Sequence, residues 1–445
     1  MRPATNRQRG FVVKMCSGLM REAAGHYHRL QDPRIVRRMN WLVLAILLAG
    51  SVRLNLLVQT LPYGTATSVK TAETGLSLFL ATAQYDGRIL FARYREAVRR
   101  SLPADAFQRY RGKALVIVDG TDYAKRSRRG KKGKQMQYTT KVRASKRKVQ
   151  FPQKPPLSPG YVDLWAGVLL RGRQALPLVR QLCSSTHPQF VSQNLLEEAV
   201  IWSALAVLNW EAILIADRGF RRKALLVKLL RRSVLFVIRL ADNIHVLHQG
   251  EWRNILETAR SLKPLGAVTW KEGKAHARPC EVVVLRARLR EAPGEDDPTQ
   301  PNPELNLVVL FPLGGNAEPL LLATPLPIQT LTQVREIVRL YEWRWAIETM
   351  FENLKRELHL DEFMVRDWLA IERLLWAGAM SYMALLVLRL TERSAGQQCL
   401  KQILALLRQR AVMGKQLTVG KIREAMALDY QDNKSDWWAA LQTVT

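Results

Sequence analysis

The sequence predicts an α/β protein flanked by helical segments, and three observations carry that reading. Between residues 113 and 240, short runs of β-branched and aliphatic residues alternate with stretches of helical periodicity. Residues 1–105 and the last fifty or so residues read as helical throughout. The formal net charge is +30 over 445 residues, which points to a polyanionic partner, nucleic acid before an anionic membrane.

The elements follow in order. Residues 33–57 and 78–102 mix apolar residues with recurring arginines and read as helices, with Pro62, Tyr63 and Gly64 breaking the chain between them. Residues 114–118 form a continuous apolar run, as a buried strand does, and end in Asp119, Gly120, Thr121 and Asp122. Strands are expected at 162–170 and at 175–179, where Pro177 confines the second to a sheet edge. A helix over 193–209 leads to a strand over 212–216, which ends in Asp217, Arg218, Gly219 and Phe220. Helix 221–232 and strand 234–240 complete the pattern. Residues 241–330 break the rhythm with strands at 282–289, 305–311 and 320–323, a β-rich insertion. Thr330 and Gln333 have the spacing of a capping box for a returning helix. Helix is expected through 341–358 and again over 369–390.

Several classes fall away. Cys16, Cys183, Cys280 and Cys399 stand singly, which offers neither a zinc knuckle nor a disulfide framework. His245 and His248 are close in sequence but lack an evident third ligand, so an ordinary strand or loop is expected there. The apolar runs at 41–50 and 374–388 are too short to span a bilayer and read as buried core helices. No membrane partner is expected, and the chain is expected to act in the cytoplasm.

The chemistry is carried by carboxylates. Asp119 and Asp217 each follow an apolar strand, and in open α/β sheets sites form at the carboxyl ends of strands. Phosphodiester chemistry with two divalent ions calls for converging Asp or Glu oxygens. Each aspartate also has an ordinary reading, Asp119 as a turn residue and Asp217 as a helix cap. The segment from Tyr341 to Lys355 adds a third element. At ~100° per residue, Tyr341, Arg344, Glu348 and Lys355 share an arc of about 60°. Ile347, Met350, Phe351, Leu354 and Leu358 form the adjoining apolar stripe. A solvated face with an Arg344–Glu348 pair would look the same. Asp122 and Glu352 compete with Asp119 and Glu348 on position alone.

Tyr341, Arg344, Glu348 and Lys355 match the Tyr-x2-Arg-x3-Glu-x6-Lys signature of the insertion sequence four family of bacterial transposases at all four positions. The Asp119 and Asp217 blocks also resemble that family's two aspartate motifs, in the right order over residues 113–390. The resemblance implies an RNase H-like (retroviral-integrase-like) core with Asp119, Asp217 and Glu348 as catalytic, metal-holding residues. Mg2+ is implied as two ions, with Mn2+ as a substitute, and Asp119 as the bridge between them. Water would attack at the transposon end, and the freed 3′-OH would then attack target DNA. Arg344 and Lys355 would hold phosphates of the transposon end, with Tyr341 beside them as part of the same DNA-binding group. The expected organisation is a DNA-end-binding helical domain (1–105), the first part of the core (106–240), and the insertion (241–330). The completed core with its catalytic helix (331–392) and a helical C-terminal region (393–445) follow. The expected partners are double-stranded DNA, as terminal inverted repeats and target, and a second copy in a homodimeric synaptic complex. Trp437 and Trp438 are candidates for that contact.

No acidic residue lies between Tyr123 and Tyr161, while residues 125–148 carry twelve Lys or Arg. Such a block gains affinity by releasing counter-ions from DNA phosphates, so Arg128, Arg129, Lys131 and Lys132 are expected to grip DNA beside Asp119. Two other classes fit the same residues: an RNase H-like endonuclease without strand transfer, and a non-catalytic DNA-binding derivative.

Overall fold

The computed structural model describes residues 6–25, 32–60, 68–125, 136–139, 158–271, 277–289, 302–314, 318–391 and 418–442. Five helices come first: α1 (Asn6–Gly25), α2 (Pro33–Ala49), α3 (Leu54–Thr60), α4 (Val69–Thr82) and α5 (Gly87–Ser101). The expected helix over 33–57 is two helices, bent by 102°. Gly50 causes the break: it sits at φ 59° in the left-handed region and closes α2 with its N–H on the Ile46 carbonyl. Residues 78–102 likewise split, because the Asp86 side chain accepts from the N–H groups of Arg88 and Ile89 and starts α5 afresh. Pro62, Tyr63 and Gly64 lie outside the described residues.

The sheet begins with β1 (Arg109–Tyr110), β2 (Lys113–Ala124), β3 (Gln137–Thr139), β4 (Ser158–Leu170) and β5 (Gln174–Cys183). Next come α6 (Gln193–Val207), β6 (Ala212–Ala216), α7 (Lys223–Arg231) and β7 (Leu235–Arg239). β5, β4, β2, β6 and β7 lie side by side in that order; β2, β6 and β7 are parallel, whereas β4 and β5 run antiparallel. β5 pairs only with β4, with a register shift opposite Pro177, as a proline in a strand requires.

The strands of 241–330 lengthen this sheet. They are β8 (His245–His248), β9 (Glu251–Asn254), β10 (Gly266–Trp270), β11 (Arg278–Leu289), β12 (Glu304–Pro312) and β13 (Leu320–Thr324), with α8 (Ile255–Arg260) after β9. β13 pairs antiparallel with β7, and β12 and β11 follow outward, giving 13 strands in one sheet. His245 and His248 belong to β8, and His248 Nδ1 meets the Arg286 carbonyl at 2.9 Å, an ordinary strand-edge contact.

Chain then returns to helix in α9 (Leu331–Glu342), α10 (Trp345–Arg356) and α11 (Trp368–Thr391), followed by α12 (Val419–Asp432) and α13 (Lys434–Gln442). The capping box forms: Thr330 Oγ1 accepts from Gln333 N–H, and Gln333 Oε1 accepts from Thr330 N–H. α11 is long and apolar enough to cross a membrane, yet its apolar window is wholly enclosed. One side of it packs on α2, α4 and α5 and another on β5 and α10, so it is the shared wall of the helical layer and the sheet. The chain's two ends meet in that helical layer. Arg9 of α1, buried, pairs with Asp429 at 2.8 Å and with Asp436, while the Trp437 indole N–H donates to Asp429. Trp437 is therefore consumed within its own chain, contrary to the expectation of a contact between copies; half-buried Trp438 donates to Tyr430.

Candidate active site

β2 runs on past Asp119 to Ala124, so the expected strand end at Asp119 is instead the end of its parallel pairing. Val118 is level with Ala216 of β6, which sets Asp119 and Asp217 side by side, about 4.8 Å apart across neighbouring strands. Asp217 keeps extended backbone at φ −84° and ψ −173°, then turns the chain by accepting the Gly219 N–H on Oδ1 at 2.7 Å. A Cβ on residue 219 would lie 2.9 Å from that oxygen, so the turn calls for glycine.

Alternation along β2 separates Asp119 from Asp122, which points to the other face of the sheet. Asp119 shares its face with Trp165, its partner on β4. The Trp165 ring in turn meets Phe351 of α10 edge-on at 6.4 Å. α10 thus lies over the face that carries Asp119. Ile347, Met350, Phe351, Leu354 and Leu358 are buried, as the apolar stripe required.

The expected single helix through 341–358 is interrupted at Trp343 and Arg344. Both keep right-handed helical dihedrals, but the N–H groups of Arg344, Ala346 and Ile347 bond three residues back rather than four. This tightened turn contains neither glycine nor proline, and it keeps the phase that brings Arg344 and Glu348 onto one side. Arg344 Nη1 lies 2.7 Å from Glu348 Oε1 and 3.4 Å from Asp119 Oδ2, joining two of the three carboxylates. Glu352 instead pairs with Arg356 at 2.8 Å and is exposed, which removes it from the group.

The other residues of the strip support the site from within. Tyr341 is buried and hydrogen-bonded to Arg239, with the Arg344 guanidinium 5.8 Å from its ring centroid. Lys355 Nζ donates to the Asp122 carbonyl at 2.8 Å and stands 5.4 Å from the Tyr123 ring centroid. Lys125 donates to the carbonyls of Asp361 and Phe363. Arg128, Arg129, Lys131 and Lys132 lie outside the described residues.

Electrostatics mark Asp119 as the strained member. Burial, then the neighbouring Asp217 carboxylate, push its carboxyl up to about 7; Arg344 and the Gly120 N–H pull it down, and Glu348 adds to the rise. Arg344 thus pairs with two of the three carboxylates, Asp119 and Glu348, while the Asp217 carboxylate adds its charge beside Asp119. An all-oxygen donor set with negative charge to spare suits a hard divalent cation such as Mg2+. Among the described residues no group of three acidic, His or Cys side chains is placed to hold an ion, and Arg344 stands between Asp119 and Glu348.

A second acidic group, invisible in the sequence, lies beside the first. Asp163, fully buried on β4, accepts on Oδ2 from Tyr123 at 3.0 Å, Trp165 at 2.8 Å and Arg180 at 2.8 Å. Arg180 is equally buried and is flanked by the rings of Trp165 and Trp376. Each residue was readable only as part of a strand; the pairing of 163 with 182 and 165 with 180 across β4 and β5 creates the group.

Residues 164–384 match the family described as Transposase DDE domain. That match supports a transposase of the DDE type. It takes in Asp217 and Glu348 and begins after β2, so Asp119 lies ahead of it. No curated protein matches the chain. Among solved structures, the chain is similar to a piggyBac transposase in a synaptic complex with hairpin DNA, at 11% identity and a TM-score of 0.44. The similarity covers 97% of this chain and 79% of that one.

Proposed function

We propose that this chain is a DNA transposase of the insertion sequence four type that cleaves at terminal inverted repeats and joins the 3′ ends to target DNA. The observation that carries the reading is the meeting of Asp119 and Asp217, level on adjacent parallel strands, with Glu348 through Arg344. The strand order β5-β4-β2-β6-β7, antiparallel then parallel, supports an RNase H-like core lengthened by the strands of 241–330.

Asp119, Asp217 and Glu348 would hold Mg2+, which when bound neutralises charge on the attacking and leaving oxygens. The chain's own part is to bring the three carboxylates together and to bury Asp119 against α10, out of bulk water. Arg344 and Lys355 supply a guanidinium fork and a point charge suited to phosphate oxygens. Arg128, Arg129, Lys131 and Lys132 follow β2 in the sequence, within thirteen residues of Asp119, and they would grip DNA there. A homodimer on paired ends and action in the bacterial cytoplasm belong to the same proposal.

The test is cleavage and strand transfer on duplexes carrying the repeats that flank the coding region, with Mg2+ or Mn2+. Asp119→Ala, Asp217→Ala and Glu348→Ala should each abolish both steps and leave end binding in place. Cleavage that survives all three would overturn the site; cleavage without joining would leave an endonuclease.

A further inference from the structure

We propose that Arg344 is an internal counter-ion that holds Asp119 and Glu348 together without metal and has to leave before a divalent cation can settle between them. The inference rests on the reading of Asp119, Asp217 and Glu348 as metal-holding residues.

One nitrogen, Nη1, makes both contacts, at 2.7 Å to Glu348 and 3.4 Å to Asp119. It therefore fills the space that an ion bridging those oxygens would take. A guanidinium keeps its charge at any working pH, so it cannot yield by losing a proton; it can only move. The side chain is 9% exposed, which leaves little room for a cation and Arg344 to share the same oxygens.

Two features favour departure over permanent residence. Arg344 Nε is buried without a hydrogen-bond partner, so this arrangement leaves that donor unused. The neighbouring Trp345 is exposed, with its ring centroid 4.9 Å from the guanidinium carbon, and offers a face along which the side chain can swing outward. Lys355, in contrast, donates to the Asp122 backbone carbonyl of β2 and stands beside the Tyr123 ring.

The experiment is a Mn2+ titration of the DNA-free full chain, read by the electron paramagnetic resonance signal of unbound Mn2+ at about pH 8, where carboxylates are ionised. Removing the competitor in Arg344→Ala should tighten Mn2+ binding roughly 10-fold, an ordinary size for coupling between two ligands of one site. Arg344→Lys should fall between Arg344→Ala and wild type. Arg344→Gln, which keeps length and hydrogen-bonding capacity without charge, gives the same reading should the alanine variant melt early. Mn2+ affinity unchanged or weakened in the folded Ala or Gln variant would overturn the proposal. Asp217→Asn separates the two layers of inference. If it leaves Mn2+ binding intact, the metal-site reading fails. If it weakens binding while the Arg344 variants do not tighten it, only the counter-ion role fails.

Discussion

Two acidic clusters lie on the same face of the sheet, two residues apart along the pairing of β2 with β4, and they differ in charge balance. Around Asp163, one carboxylate meets one guanidinium, both at 0% exposure, and three donors converge on a single oxygen. Around Asp119, one guanidinium pairs with two carboxylates while a third, Asp217, crowds Asp119, and side-chain exposure rises to 18% for Asp119 and 38% for Glu348. A matched, dry pair is complete in charge, although Asp163 Oδ1 and Arg180 Nη2 are left without a hydrogen-bond partner, and it ties β4 to β5. A group with surplus negative charge is incomplete, and the incompleteness is what a cation or a phosphate-bound cation would satisfy. Burial of an acid alone therefore does not separate the two groups; the crowding of Asp119 by further carboxylates does.

The largest effect should come from the incomplete cluster. Asp217→Asn and Glu348→Gln should lower Mg2+-dependent cleavage by roughly 10^3-fold or more while moving the urea midpoint little. Comparable losses of stability and cleavage together would erase the distinction between the clusters. In the complete cluster, Arg180→Met strands a buried carboxylate and should cost about 3–5 kcal/mol of unfolding free energy. The paired change Asp163→Leu with Arg180→Met should recover much of that in the same urea titration. Failure to recover would mean that the pair does more than hold strands.

pH sharpens the contrast further. The folded state binds the Asp119 proton more tightly than the unfolded chain does, since its carboxyl is pushed up to about 7. Stability should thus fall as pH rises from about 4 to about 7 and level off above that. Asp119→Asn should flatten this slope and stabilise the protein by about 1–3 kcal/mol at neutral pH, measured by denaturation across the range. A slope unchanged in Asp119→Asn would place its origin elsewhere. The smallest effect is expected at Glu352, whose exposed pair with Arg356 is worth at most about 0.5 kcal/mol. Glu352→Gln should leave cleavage within about threefold of wild type; a loss like that of Glu348→Gln would reopen the choice between them.

Much of the frame was legible because it is local. Ala212–Ala216 is an uninterrupted apolar run and is buried at every position, and Thr330 with Gln333 encodes its own cap. Spacing along α10 put Arg344 and Glu348 on one side, which holds even though the helix breaks, because the break keeps helical dihedrals. What stayed hidden depends on pairing between distant segments. Nothing local tells that β13 docks on β7 and extends the sheet, nor that Arg180 finds Asp163. Asp122 and Glu352 could be set aside only once strand alternation and the Arg356 pair were visible.

α11 joins these levels within two consecutive residues. The Glu372 carbonyl accepts from Arg180 Nη1 at 3.4 Å, on the sheet side. Arg373, the next residue, donates to the carbonyls of Leu80, Ala83 and Tyr85 in the helical layer. The link between α4 and α5 and the buried arginine of β5 therefore meet α11 one peptide unit apart. The helical layer and the sheet are thus tied to neighbouring positions on one helix, a joint made of backbone carbonyls and two arginines.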